Sequence, residues 1–162
     1  MKHRPSRSLH FFIEESNRIE RIFDPITAKE LRAYERFLKC ERITIEDLVN
    51  FVSVIQPGAL LRNLPGMDVQ VGHHIPPSGG QQIVERLVHL LSQINETSVF
   101  SDDPYLLHIQ YEKLHPFMDG NGRSGRVLWL WQMEHRYSST HAREMGFLHC
   151  FYYQTLAHEG GK

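Results

Sequence analysis

The chain has 162 residues, of which 41% are hydrophobic and 23% charged, and its formal net charge at pH 7 is −1. That length predicts one domain, which buries about two-thirds of its unfolded surface without disulfides or structural metals. The sequence lacks the cluster of basic residues that a nucleic-acid-binding surface needs. Its longest unbroken apolar run, Val127–Trp131, is far too short to cross a bilayer. The composition therefore excludes nucleic-acid-binding and membrane-spanning proteins.

The two cysteines, Cys40 and Cys150, stand far apart in the sequence. For such a pair we expect reduced thiols rather than a disulfide. The basic N-terminus, Met-Lys-His-Arg-Pro, lacks the apolar segment that a secretory signal carries behind its charged residues. Both features predict a cytoplasmic protein.

Helical periodicity and capping residues predict three helices in the first third of the chain, after a short flexible lead-in over residues 1–8. The dipeptide Asp24-Pro25 ends the first helix. Thr27 and Thr44 are predicted N-caps of the next two, because their hydroxyls can accept hydrogen bonds from the first turn. The predicted spans are Leu9 to about Ile22, Thr27 to about Cys40, and Thr44 to Ile55.

Residues 56–79 break the helical pattern, because prolines and glycines interrupt short pieces with a preference for strand. This composition predicts a small hairpin or an irregular flap, for which residues 66–76 are the candidates. The segment could be a mere connection. A loop of this length in a compact helical domain is more often functional.

The second half of the chain predicts four more helices. One runs from Gln81 to about Gln93, and the next is opened by Asp102 and Asp103, with Pro104 early in its first turn. A helix that starts near Gly122 is apolar nearly all round, which predicts a central position in the domain. The helix opened by Asp102 and Asp103 has the predicted span Tyr105–Leu114, and the last helix runs from about Thr140 to His158.

Between the fifth and sixth helices lies the most informative segment, residues 115–126, which reads His-Pro-Phe-Met-Asp-Gly-Asn-Gly-Arg-Ser-Gly-Arg. Its proline and glycines predict a loop that ends at a helix N-terminus. Backbone N–H groups that converge there, with the positive end of the helix dipole behind them, favour an anion such as phosphate.

The side chains of this segment suit phosphoryl chemistry. Arg123 and Arg126 lie three residues apart, hence on one helix face, and guanidinium groups match phosphate oxygens. Asp119 offers one hard oxygen ligand of the kind that holds Mg2+ beside a nucleotide. His115 is the side chain whose ordinary pKa suits a general base near neutral pH. Together these residues predict attack by a hydroxyl on a nucleotide phosphate.

The segment matches the signature of the Fic family, His-Pro-Phe-x-Asp/Glu-Gly-Asn-Gly-Arg-x-x-Arg, at every defined position. This resemblance implies an all-α fold, a Fic-type helical domain of about seven helices with a small β-hairpin flap, as a single domain over residues 1–162. It also implies a protein adenylyltransferase, which moves AMP from ATP to a side-chain hydroxyl of a target protein. ATP would be the co-substrate and Mg2+ the metal.

The resemblance assigns roles to eight residues of the catalytic loop, 115–126. His115 would be the catalytic base and Asp119 the Mg2+ ligand. Arg123 and Arg126 would hold the β- and γ-phosphates. The residues that would steady the α-phosphate or shape the loop are Phe117, Gly120, Asn121 and Gly122.

A second stretch resembles the Fic inhibitory motif Ser/Thr-x-x-x-Glu-Gly/Asn. Ser16 and Glu20 match it within the predicted helix 9–22, whereas Arg21 departs from the expected Gly or Asn. In the family this glutamate reaches the second motif arginine and displaces the γ-phosphate. Two alternatives remain open: Glu20 could be a solvated helix charge, and Glu159, in a matching stretch at the C-terminus, could be the inhibitory residue instead.

The resemblance also implies that a target protein docks at the flap, 66–76, by strand addition. A homo-oligomer stays open as a further partner, while the composition predicts neither nucleic acid nor membrane as a partner. Two other activities fit the same residues: removal of AMP from a modified target, or a catalytically silent nucleotide-binding interaction module.

Overall fold

The structure, a computed structural model, describes residues 5–96, 103–139 and 141–159. Within these ranges the chain forms eight helices, so the predicted all-α class is confirmed. They are α1 (Pro5–Ile19), α2 (Ala28–Leu38), α3 (Ile45–Ile55), α4 (Gln81–Ile94), α5 (Pro104–Leu114), α6 (Asn121–His135), α7 (Ala142–Met145) and α8 (Phe147–Glu159).

Local capping residues set several helix starts as predicted. The Thr27 hydroxyl accepts from the Glu30 N–H at 3.1 Å at the start of α2. Thr44 and Asp47 form a reciprocal capping box at α3. The Asp103 carboxylate caps α5, where Pro104 occupies the first turn, whereas the predicted Asp102 lies outside the described residues. Local sequence is therefore enough to place these three starts.

Helix α1 differs from the predicted span of 9–22, because it begins at Pro5 and ends at Ile19. Proline is tolerated in a first turn, where its missing N–H has no helical partner. At the other end the Ile22 N–H donates to the Asn17 carbonyl at 2.9 Å, and Arg21 has a φ of 59°. These are the marks of a Schellman ending, so Glu20 follows the last helical residue. Residues 1–4 of the predicted lead-in lie outside the described residues.

The predicted single helix from Thr140 to His158 is wrong, since α7 and α8 are separate. Gly146, with a φ of 87°, breaks the path between them. The Glu15 carboxylate lies where a Cβ of Gly146 would stand, and its Oε1 accepts from the Leu148 N–H at 3.2 Å. A side chain from the far end of the sequence thus caps α8. Thr140 itself lies outside the described residues.

The predicted hairpin flap at 66–76 is not confirmed, because no regular strand forms among the residues that the structure describes. An isolated antiparallel bridge joins Val71 and His74, whose N–H and C=O groups pair reciprocally at 2.9 Å. A second bridge joins Leu61 to Phe117. The segment between α3 and α4 is therefore irregular, and it is paired at its base with the loop after α5.

Helix α6 occupies the centre, as its all-round apolar sequence predicts. Val127, Trp129 and Leu130 are buried, and α5, α2 and α1 pack around them. The Trp129 ring stacks on Phe12 of α1 with ring centroids 6.5 Å apart. The N-terminus of α6 is consequently fixed by three neighbouring helices.

Cys40 and Cys150 are free thiols. None of the helices described has both the length and the apolar character needed to span a membrane.

Candidate active site

The loop that joins α5 to α6 starts at His115, which has a φ of 51° and lies in the left-handed region. Its N–H donates to the Tyr111 carbonyl at 2.9 Å and so ends α5. Pro116 follows, and a proline here cannot continue the helix because it has no backbone N–H to donate. A non-glycine residue with positive φ is strained, and such strain is often found at functional sites.

The loop is closed from inside by Asn121. Its Oδ1 accepts from the Phe117 N–H at 2.9 Å, and its Nδ2 donates to the Phe117 carbonyl at 2.8 Å. The Phe117 ring is 0% exposed and packs into the core. The amide of Asn121 thus shapes the turn, and its contact with an α-phosphate stays a prediction.

Beside the N-terminus of α6 the Glu20 carboxylate takes the place predicted for an anion. A Cβ on Gly122 would overlap Glu20 Oε1 and would lie 3.0 Å from Arg126 Nη1. Only glycine leaves this space free. Gly120, with a φ of 80°, turns the chain into the helix just before it. A negative charge at this point is stabilised by the helix dipole and by the N–H groups of the first turn, which have no helical acceptor.

Arg126 ties this carboxylate to α1. Its Nη2 donates to Glu20 Oε1 at 2.7 Å and to the Ser16 carbonyl at 3.0 Å, while its Nε donates to Ser16 Oγ at 2.7 Å. The arginine side chain is 6% exposed and that of Glu20 is 39% exposed. The guanidinium is therefore fixed, whereas the carboxylate lies at the mouth of the site and can leave it into water.

Glu159, the alternative inhibitory residue, is the last residue of α8 and is exposed. It has no contact with Arg126, whose hydrogen-bond partners in the described chain are Ser16 and Glu20. Gly160 of the matching C-terminal stretch lies outside the described residues. The geometry therefore favours Glu20 over Glu159 as the residue that faces the second motif arginine.

Arg123 lies against a different element from Arg126. Its Nη1 donates to the Ile55 carbonyl at 3.0 Å and its Nη2 to Gln56 Oε1 at 2.6 Å, so it binds the C-terminal end of α3. A cation at a helix C-terminus is favourable for the helix dipole. The joint phosphate role of the two arginines stays a prediction.

His115 is half-buried, and its Nδ1 lies 3.3 Å from the Glu112 carbonyl. A carbonyl oxygen can only accept, so Nδ1 carries the proton and Nε2 holds the free lone pair. Burial lowers the pKa of His115 below its ordinary value, and the positive charge of Arg62 adds to this effect. The imidazole is thereby neutral near pH 7 and able to accept a proton.

Asp119 is exposed in the loop, and its Oδ1 accepts from the Gly120 N–H at 2.7 Å. Among the residues described, no three His, Cys, Asp or Glu side chains gather as a metal-binding group. One exposed carboxylate does fit Mg2+ of the kind that nucleotide phosphates and water complete, rather than a metal cage built by protein alone.

Two further candidate residues are not predicted from the sequence. The first is Glu112, one turn before His115. Its Oε1 is inaccessible to solvent and has no hydrogen-bond partner in the described chain. Burial raises the pKa of Glu112 to about 7, and burial lowers that of His108, 3.7 Å away, to about 4. The two are therefore not an ion pair near neutral pH. Nothing in the sequence marks this pair apart from its spacing of four residues.

The second is Arg62, whose side chain is 0% exposed. Its Nε donates to the His115 carbonyl at 2.7 Å and its Nη2 to that of Leu114 at 2.9 Å. Its Nη1 donates to the carbonyls of Met67 and Pro77 at 3.0 and 2.8 Å. This arginine binds the catalytic loop to both ends of the irregular flap. A lone Arg in a stretch rich in proline and glycine is too weak a signal to predict that role.

The family model described as the Fic/DOC family matches residues 28–133, and the chain belongs to this family. The match covers α2 to α6 and the whole loop described above, but not α1.

Among curated proteins, the chain is similar to the protein adenylyltransferase Fic of Drosophila mojavensis, with 33% identity over 96 residues, 53% of this chain and 18% of that protein. The protein of the same name from Drosophila virilis is 32% identical over 96 residues, 53% of this chain and 19% of that protein. For Aedes aegypti the identity is 31% over 101 residues, 56% of this chain and 19% of that protein. The chain therefore spans about a fifth of the length of these relatives.

Proposed function

We propose that the chain is a Fic-type protein adenylyltransferase that moves AMP from ATP to a side-chain hydroxyl of a target protein. Membership of the Fic/DOC family and the names of its relatives support this proposal. The observation that carries it is the position of the Glu20 carboxylate beside Gly122 and Arg126, because a negative group fits there in the same loop-to-helix segment that carries His115.

In the proposed reaction, His115 Nε2 takes the proton of the target hydroxyl, and the hydroxyl oxygen attacks the α-phosphorus of ATP. The bond from that phosphorus to the oxygen bridging to the β-phosphate breaks, and pyrophosphate leaves. Asp119 would hold Mg2+, which neutralises phosphate charge when it is bound. The N–H groups near Gly120 and Gly122 would accommodate the charge that develops on the α-phosphate oxygens.

Glu20 would inhibit this reaction by occupying the subsite of the γ-phosphate. A carboxylate and a terminal phosphate compete for the same donors on Arg126, and both are stabilised by the N-terminus of α6. Ser16 holds the arginine from the other side. The triphosphate would then bind in a pose that keeps the α-phosphorus away from the line of attack.

The test is transfer of label from α-labelled ATP, measured on the chain itself and on a cell lysate. We expect Glu20→Gly to raise self-modification several-fold. Adding His115→Ala to that variant should lower the transfer at least about 100-fold, the scale of general-base catalysis, with nucleotide binding retained. Equal transfer with and without His115 would remove it as the base.

Glu159→Gly is the matched control, because Glu159 has no contact with the site. Unchanged activity in Glu20→Gly beside a rise in Glu159→Gly would move the inhibitory role to the C-terminus. Removal of AMP would be the favoured activity if the parent strips AMP from a modified protein and the Glu20→Gly variant transfers no label. Nucleotide binding without either reaction would favour the silent module.

A further inference from the structure

An open cleft of about 780 Å3 lies between α4, α5 and the turn at residues 74–77. Apolar side chains line part of it, among them Leu90, Leu114 and Pro77. The motif residues 115–126 do not line this cleft. It is nonetheless adjacent to them, because Leu114 directly precedes His115 in the chain.

The charges around the cleft are predominantly positive. Arg86 and Lys113 line it together with the imidazole of His89, and Glu85 is the acidic residue among the lining side chains. Both Arg86 and Lys113 are exposed, and neither side chain forms an ion pair or hydrogen bond within the described ranges of the chain. Two unpaired cations beside an apolar floor suit a ligand that carries carboxylate and apolar groups together.

The turn that borders the cleft also offers backbone groups. Ile75 is 75% exposed, and its N–H and C=O form no hydrogen bond within the described ranges. His74 Nε2 donates to the Lys113 carbonyl at 2.9 Å, which fixes the turn on α5. An extended peptide that pairs with the backbone at Ile75 would lie along the cleft that this residue lines.

We propose that this cleft binds an extended segment of the target polypeptide that carries an acidic side chain next to an apolar one, on one side of the hydroxyl to be modified. The apolar side chain packs on Leu90 and Leu114, and the carboxylate lies between Arg86 and Lys113. This inference deepens the proposed function, since it names a recognition element of the substrate. A basic segment would meet like charges and is disfavoured.

The first experiment measures binding alone, by fluorescence anisotropy of labelled peptides with the full chain and no ATP. Each peptide has one Ser and an Asp-Leu pair placed three to six residues from it, and a matched peptide has Lys-Leu instead. We expect the best Asp-Leu peptide to bind at least about tenfold more tightly than its Lys-Leu partner, with an affinity that falls as salt rises.

Matched variants locate the site. Arg86→Glu with Lys113→Glu should weaken binding of the acidic peptide at least about tenfold and should reverse the preference for Asp over Lys. The control pair Lys29→Glu and Arg32→Glu, exposed residues of α2, makes the same change of net charge and should leave binding unchanged. Equal losses in both pairs would reduce the effect to net charge and overturn the proposal, as would binding without any Asp preference.

A milder pair, Arg86→Ala with Lys113→Ala, together with thermal melts of every variant, separates lost binding from lost folding. Sedimentation velocity of the parent tests whether a second copy of the chain, rather than a peptide, occupies the cleft. If the parent is a dimer that the charge reversal dissolves, and no peptide binds, the cleft is an interface between copies and the proposal is wrong.

Label transfer to the same peptides in the Glu20→Gly background distinguishes this inference from the proposed function. Binding with Asp preference but no transfer to any substrate would leave the docking site standing and the adenylyltransferase proposal refuted. Transfer to peptides regardless of the acidic residue would support the enzyme and overturn the docking site.

Discussion

Glu112 and His108 face each other across one turn of α5, and burial shifts their pKa values in opposite directions, to about 7 and about 4. Both groups are therefore largely uncharged just below neutral pH. The Glu112 side chain is 35% exposed, yet its Oε1 is closed to solvent. Gly125 explains this closure, since a Cβ there would stand 2.7 Å from the same oxygen. The close contact of α5 and α6 keeps the carboxyl out of water.

We expect Glu112→Gln to remove part of the pH dependence of stability. The pKa of Glu112 is about 7 in the folded chain and that of an unfolded glutamate is about 4.3, so between these values the folded state binds the extra proton. The free energy of unfolding should then fall as pH rises from about 4.5 to about 7. Urea denaturation of parent and variant at pH 5 and pH 7.5 measures the difference. Exposed Glu14→Gln is the control, and an identical fall in all three proteins would contradict the assigned pKa.

The end of α1 explains the residue preference of the inhibitory motif. Arg21 has a φ of 59° at the position after the helix, where the Schellman ending needs a left-handed residue. Glycine and asparagine adopt that conformation at the lowest energy, which accounts for the Gly or Asn of the family motif. Here an arginine takes the left-handed conformation, which glycine or asparagine would adopt with less strain.

Arg21→Gly should stabilise the chain by up to about 1 kcal/mol, because relief of left-handed strain exceeds the added flexibility of glycine in the unfolded state. The midpoint of urea denaturation measures this change. Arg21→Ala removes the same charge but keeps the strain, so its stability should not rise. Equal gains in both variants would show that the charge of Arg21, rather than its backbone, is responsible.

The sequence predicts the helices whose starts and burial depend on residues close by in the chain. Thr27, Thr44 and Asp103 cap helices whose starts follow from local hydrogen bonding, and the all-round apolar α6 lies at the centre. The break at Gly146 was not predictable, because the helical spacing of apolar residues continues across it and Glu15 acts from the opposite end of the sequence. The flap was expected as a hairpin, but among the described residues a single bridge, Val71 to His74, forms within it, and its base is bonded to the loop after α5 and to Arg62.

The candidate site shows the same division. The motif gave the position of the loop, whereas the partners of its arginines depend on tertiary structure. Arg126 donates to Glu20, the residue that the inhibitory resemblance puts against it, and also to Ser16 of α1, which that resemblance did not specify. Arg123 instead binds the end of α3, because Ile55 and Gln56 leave a carbonyl and an amide oxygen there. Spacing along one helix fixes the face of a side chain but not the acceptor that it meets.

At the scale of the molecule, α1 is part of the core although the family model begins at residue 28. Leu9, Phe12 and Ile13 are almost fully buried, and Phe12 stacks on Trp129 of α6. Each such side chain contributes about 1.5–3 kcal/mol, so α1 supplies a share comparable with the whole stability of a small domain. Removal of α1, which leads directly into the proposed inhibitory residue Glu20, should therefore cost the fold.

A chain that begins at residue 25 should therefore be unfolded or strongly destabilised, and should not be an activated enzyme. Thermal melting and near-UV circular dichroism measure this outcome, since the environment of Trp129 changes when Phe12 is removed. The control is Glu20→Gly in the chain of 162 residues, which should melt well above the truncated chain because α1 stays packed and Arg126 keeps its hydrogen bonds to Ser16. A truncated protein that melts like the parent and transfers label at a high rate would contradict this prediction.

The four carbonyl oxygens around Arg62 have a consequence for substrate entry. Met67 and Pro77 supply two of these acceptors, so an outward swing of either would take a hydrogen bond from a buried cation for which Asp68 supplies nearby negative charge. A target polypeptide would then be accommodated by movement of the tip of the flap, around residues 69–75, while its base at Met67 and Pro77 stays in place. Backbone amide hydrogen exchange should accordingly be fast at residues 69–75 and slow at the base of the flap near Met67, with or without nucleotide.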